Sequence, residues 1–131
     1  MSIQSTDILI TAEACLGLEC ESGYRSCTSR AYYAMYHETL ASLQNVPAFS
    51  SNHHGNLIGY MTTHSEHKTE PFESMRLKVL GYNLKQQRDS RNDADYDLKD
   101  VNFTKEMAET SLEAAKLYFE KWDELRTAKA S

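Results

Sequence analysis

Apolar residues in this chain return every three or four positions, and nowhere do they alternate with polar ones along a β-branched run. That spacing lines one face of a helix, whereas a half-buried strand needs a period of two. Neither Asn-Gly nor Asp-Gly occurs to make a tight hairpin turn. An all-α protein follows, an antiparallel up-down bundle of about four to five helices. The 131 residues suit one domain spanning 1–131, and 40% hydrophobic composition is enough for one core.

The pattern places the elements. A first helix starts near Ser5 or Thr6, with Asp7 in its opening turn and a stripe of Ile8, Ala12, Cys15 and Leu16, until Gly23 breaks it. A second, from Tyr24 to Gln44, is apolar around much of its girth. Its small residues Ser26, Cys27, Ser29, Ala31 and Ala34 suit the centre of a bundle or a dimer seam. Asn52 is a candidate N-cap for a third helix with Leu57, Ile58 and Met61. The polar stretch His64 to Glu70 interrupts it, and Pro71 is placed to open a new segment with the stripe Phe72, Met75, Val79 and Tyr82. Asp89 to Asn102 reads as a polar connection. The last helix has Met107, Ala114, Leu117, Tyr118 and Leu125 as its stripe, widened by Leu112, Ala115, Phe119 and Trp122.

No stretch reaches the roughly 18 consecutive apolar residues of a membrane helix, and Met1 to Ile10 lacks the features of a signal peptide. Cys15, Cys20 and Cys27 form no CxxC pair and no even-numbered framework. A reduced, cytoplasmic protein without membrane attachment is expected. The net charge of −5 argues against holding nucleic acid by bulk charge. Residues 1–24 carry Asp7, Glu13, Glu19 and Glu21 without a base, and the C-terminal part is acidic on balance. Between them, Arg76, Lys78, Lys85, Arg88 and Arg91 stand against the single acid Asp89, a local net of +4. Such a run is either a solvated helix face or a phosphate site.

At Ser29-Arg30-Ala31-Tyr32-Tyr33-Ala34-Met35-Tyr36-His37, at His53-His54-Gly55 and at Arg91-Asn92-Asp93-Ala94-Asp95-Tyr96, the chain resembles the HEPN family (higher eukaryotes and prokaryotes nucleotide-binding). The resemblance spans nearly the whole chain and is closest to short, single-domain prokaryotic members. It implies a helical bundle that dimerises and binds a nucleotide or RNA, in a toxin–antitoxin or other defence system. Active members are metal-independent endoribonucleases with an Arg followed by a His at the start of the last helix. Here Tyr96 fills the histidine position. An unperturbed tyrosine titrates near ~10 and a histidine near ~6.5, so Tyr96 is a poor proton carrier at neutral pH.

Three expectations follow from the resemblance and these residues. In the first, Arg88, Arg91, Asp95, Tyr96 and Arg30 bind a phosphate-bearing ligand without cleaving it. In the second, Arg91 works with His54 or His37 as a ribonuclease. Arg30 and His37 are seven residues apart and so share a helix face. In the third, the chain is a helical partner of a nucleotidyltransferase, and Tyr96 accepts a nucleotide from it. Plainer roles stand beside these: His37 hydrogen-bonded in the bundle, His54 helping to cap a helix, Arg30 paired with Asp95. Asp93 and Asp95 would oppose the dipole at the start of the final helix, and Tyr96 would be a packing residue. His64 and His67, three apart, lack the further ligands that zinc requires, so neither metal nor cofactor is expected.

Overall fold

The computed structural model describes residues 2–128 and contains six helices, with no strand among those residues. They are α1 (Ser5–Leu16), α2 (Glu21–Ser42), α3 (His53–Thr62), α4 (His64–His67), α5 (Ser74–Tyr96) and α6 (Lys105–Ala128). The all-α bundle expected from the periodicity is present, with α4 a single turn. Among the described residues no helix is long and apolar enough to cross a membrane.

Helix α2 is the central element, packed by α1, α5 and α6. Its Cys27, Ala31 and Ala34 are fully buried inside the chain and serve close packing within the bundle, while Ser26 is exposed. Gly23 does not break α1, which ends at Leu16, but lies buried within α2. A Cβ there would come within 2.7 Å of the Cys15 carbonyl oxygen and 2.9 Å of Leu18 Cβ, so glycine permits the tight α1–α2 turn. Cys15 is partly buried against the core, and all three cysteines are free.

The polar stretch between α3 and α5 is tied down from within. His67 is buried, with Nδ1 2.9 Å from the Tyr60 carbonyl oxygen and Nε2 2.7 Å from Ser74 Oγ. Glu70 accepts the Tyr60 hydroxyl at 2.6 Å and the backbone N–H groups of Gln44 and Asn45 at 2.9 and 2.8 Å. These bonds satisfy buried polar groups that would otherwise be costly.

Helix α5 departs most from the expectation. It opens at Ser74, after Pro71, and runs without interruption to Tyr96, so most of the supposed connection from Asp89 onward is helix. No glycine or proline occurs between Gly81 and Tyr96 to stop it. Of the expected stripe, Phe72 is buried ahead of the helix, but Met75, Val79 and Tyr82 face outward at 63%, 44% and 59% exposure. The buried face is Leu77, Leu80, Gly81, Leu84, Gln87, Arg91 and Ala94. Its polar members hide the apolar period. In α6 the buried face draws on both expected sets, Tyr118 and Leu125 from the stripe and Leu112, Ala115 and Trp122 from its widening, together with Ala108, while Met107 and Leu117 are exposed.

Asp93 and Asp95 therefore lie in the last turns of α5 rather than at the start of a helix, where the dipole disfavours carboxylates. No basic residue of α5 occupies that last turn. Arg25 of α2 supplies the missing cation. Its Nη1 donates to the carbonyl oxygens of Asp93, Ala94 and Asp97 at 3.0–3.1 Å, and Nη2 donates to that of Val101. Its Nε bonds Glu21 at 2.9 Å, and the guanidinium lies 5.0 Å from the Phe103 ring centroid. One buried side chain thus caps α5 and fixes the loop leading to α6.

Candidate functional site

With α5 extended to Tyr96, the Arg91 side chain falls on the buried face of the helix, against the tyrosine-rich flank of α2. Arg91 is only 6% exposed. Its guanidinium carbon lies 5.4 Å from the ring centroid of Tyr32, 5.3 Å from Tyr33 and 5.8 Å from Tyr96. Aromatic faces stabilise a cation without consuming its N–H donors. Ionic compensation is thin. Asp95 Oδ2 is 3.6 Å from Nη1 and also accepts the Ser29 hydroxyl at 3.1 Å, and the Tyr96 hydroxyl is 3.5 Å from Nη1. The Nε atoms of Arg88 and Arg91 are both buried without a hydrogen-bond partner among the described residues.

Helix α3 contributes His54. The Tyr32 hydroxyl lies 2.6 Å from its Nδ1, and the imidazole stacks on Tyr36 with centroids 4.2 Å apart. Burial pushes the Tyr32 hydroxyl well above the usual tyrosine range, against the smaller opposing pull of Arg88 and Arg91. Burial first, then the charges of Arg91 and Arg88, holds His54 below its ordinary value. At neutral pH His54 is therefore neutral, Tyr32 donates to Nδ1, and the imidazole proton sits on Nε2.

Arg88, Arg91, Asp95, Tyr96 and His54 are thus brought to one place. Arg30 does not pair with Asp95; it is exposed and stacks on Tyr33 with 4.9 Å from guanidinium carbon to ring centroid. His37 is exposed too, lies at the edge of the cluster with its ring 5.2 Å from that of Tyr36, and adds a small opposing charge effect on His54. Tyr96 is no packing residue, being 75% exposed at the rim. His54 bonds a tyrosine side chain rather than capping α3.

Tyr32 is fully buried in the core, and Tyr33 and Tyr36 pack against it, as helical spacing implies; the same three rings also wall the site. Their place beside Arg30 on the same helix was the available signal. Arg25, which anchors the end of α5, carried none. His67 has both ring nitrogens engaged, and among the described residues no group of three His, Cys, Asp or Glu is placed to hold a metal. A separate groove of about 500 Å³ between α5 and α6 is lined from α5 by Asn83, Gln86, Gln87, Ser90 and Asp93 rather than by the arginines. It lacks the convergent charges of the tyrosine-walled cluster.

Chemically, the cluster offers two guanidinium groups, one neutral imidazole and a rim of aromatic faces opposite a single carboxylate. An anion carrying a flat ring matches that set. Comparison with protein-family profiles, with curated proteins and with solved structures found no match to this chain.

Proposed function

We propose that the protein is a HEPN-like nucleotide- or RNA-binding protein that holds phosphate at Arg91 and Arg88, within a toxin–antitoxin or other defence system of the cytoplasm. One observation carries the reading: Arg91 is buried among three tyrosine rings, its nearest carboxylate stands at 3.6 Å, and its Nε has no partner. Burying a cation with so little compensation is costly, and a phosphate beside the guanidinium would supply the missing counter-charge. Arg91→Lys keeps the charge and loses the planar fork. It should weaken binding of a labelled single-stranded RNA by at least about tenfold in fluorescence anisotropy, which corresponds to one charge-assisted bond. Equal affinity of Arg91→Lys and the parent protein would count against the site.

The second reading is a metal-independent endoribonuclease, favoured by the shared surroundings of His54 and Arg91. A histidine that is neutral at neutral pH can take a proton from a ribose 2′-hydroxyl while Arg91 stabilises the phosphorane. Cleavage of labelled RNA in chelator, abolished by Arg91→Ala, is the expected outcome. An inert preparation at high protein concentration would sink this second reading and leave the first standing. Homodimerisation and pairing with a nucleotidyltransferase belong to the same proposal. The exposed Tyr96 side chain suits nucleotide transfer from such a partner, and intact mass after co-expression reports it.

A further inference from the structure

We infer that the cluster of Arg88, Arg91 and His54 selects a phosphate monoester over a phosphodiester, the second negative charge being met by a proton taken up on His54. The inference rests on the anion-site reading above and goes further by naming the ligand's charge state.

Charge balance is the starting point. Arg88 and Arg91 bring two positive charges, and Asp95, 3.6 Å from Arg91, removes one. A diester carries one negative charge and already neutralises what remains. A monoester is mostly dianionic at about pH 7 and leaves one negative charge uncompensated. His54 is the group placed to answer it. The groups that face His54 are Tyr32, Tyr33 and Tyr36 with His37 from α2, His53 from its own helix, and Arg88 and Arg91 from α5. None of these is an acid. Without a ligand the balance of the two arginines and Asp95 is +1 and opposes a proton on His54; beside a dianion the balance is −1 and favours it.

The Tyr32 hydroxyl accommodates both protonation states. It donates to Nδ1 when the imidazole is neutral, and by turning its hydrogen it accepts from Nδ1–H when the imidazole is charged. No heavy atom needs to move. The proton comes from solvent, and the step adds one proton and one monoester dianion to the site without breaking a covalent bond.

The experiment is a calorimetric titration of the full chain at about pH 7, repeated in two buffers of unequal ionisation enthalpy, with the His54 ring followed by NMR. The probes are adenosine 5′-monophosphate, inorganic phosphate and the diester adenylyl-3′,5′-adenosine. Adenosine 5′-monophosphate should bind with proton uptake and raise the His54 pKa above the working pH, by about two units, which makes it bind about tenfold more tightly than the diester; inorganic phosphate should raise the His54 pKa in the same way with smaller net uptake, because its own monoanion sheds a proton on binding as the dianion. Tighter binding of the nucleotide than of inorganic phosphate identifies a nucleotide or RNA end as the source. Equal binding identifies phosphate itself. His54→Gln should abolish proton uptake and level the affinities, and the NMR titration of the parent protein tests the same point if that variant fails to fold. Monoester binding without proton uptake, or diester binding as tight, overturns the inference while the anion site stands. No binding of any probe overturns both.

Discussion

Arg91 and His54 show how a residue's role depends on what surrounds it. Arg91 was legible as a phosphate candidate because arginine is the residue type for that task and the local charge is positive. Its burial was not legible, because nothing in a run of Arg, Gln and Asp marks the inward side. His54 is held below its ordinary value of 6.5. For such a group the unfolded chain binds the proton more readily. Its contribution to stability is complete above pH 6.5, is lost as pH falls toward the folded pKa, and then levels off. Urea midpoints measured from pH 7.5 down to 5 should therefore decline, and His54→Gln should decline less over the same range. Parallel declines in the two proteins would show that other groups set the acid limb.

Among the elements, α5 decides the architecture of the site. Read as a connection, residues 89 to 102 would leave Arg91 on a loop; as helix, they carry it onto α2. The helix persists although it ends in acids, because Arg25 binds its terminal carbonyl oxygens. Arg25→Met keeps much of the side-chain bulk and removes the donors. It should cost about 2–4 kcal/mol in chemical denaturation, the range for stripping a buried charged donor from its acceptors. Amide exchange should speed up selectively from Asp93 to Val101, with α1 and the C-terminal half of α2 little changed. A uniform loss of protection would place Arg25 in general packing instead. The choice of buried face on α5 and α6 escaped the periodicity for a simpler reason. On α5 two apolar stripes compete, Met75–Val79–Tyr82 and Leu77–Leu80–Leu84, and the neighbours select the second; on α6 they take Tyr118 and Leu125 from one set and Leu112, Ala115 and Trp122 from the other.

Taken as a whole, the molecule is acidic, with a net charge of −5, and its cationic site is local. On the proposed reading, RNA bound through Arg88 and Arg91 would engage one or two phosphates, not a long track. The slope of log affinity against log salt should fall between about −0.7 and −1.4 for single-stranded RNA, measured by anisotropy across a salt series. A slope steeper than about −4 would mean an extended basic surface that the charge distribution does not provide. The bundle itself was readable from the chain alone, since three- and four-residue spacing, the absence of strand alternation and the lack of hairpin turns act locally and agree with one another. Which of two stripes is buried, whether a polar segment stays helical, and which tyrosines wall an arginine were settled by contacts between residues far apart in the chain. Arg25 lies 68 positions before the first carbonyl it caps, and Tyr32 lies 22 before the histidine it orients. Local pattern carries no record of such pairs, because their energy appears only when the helices meet.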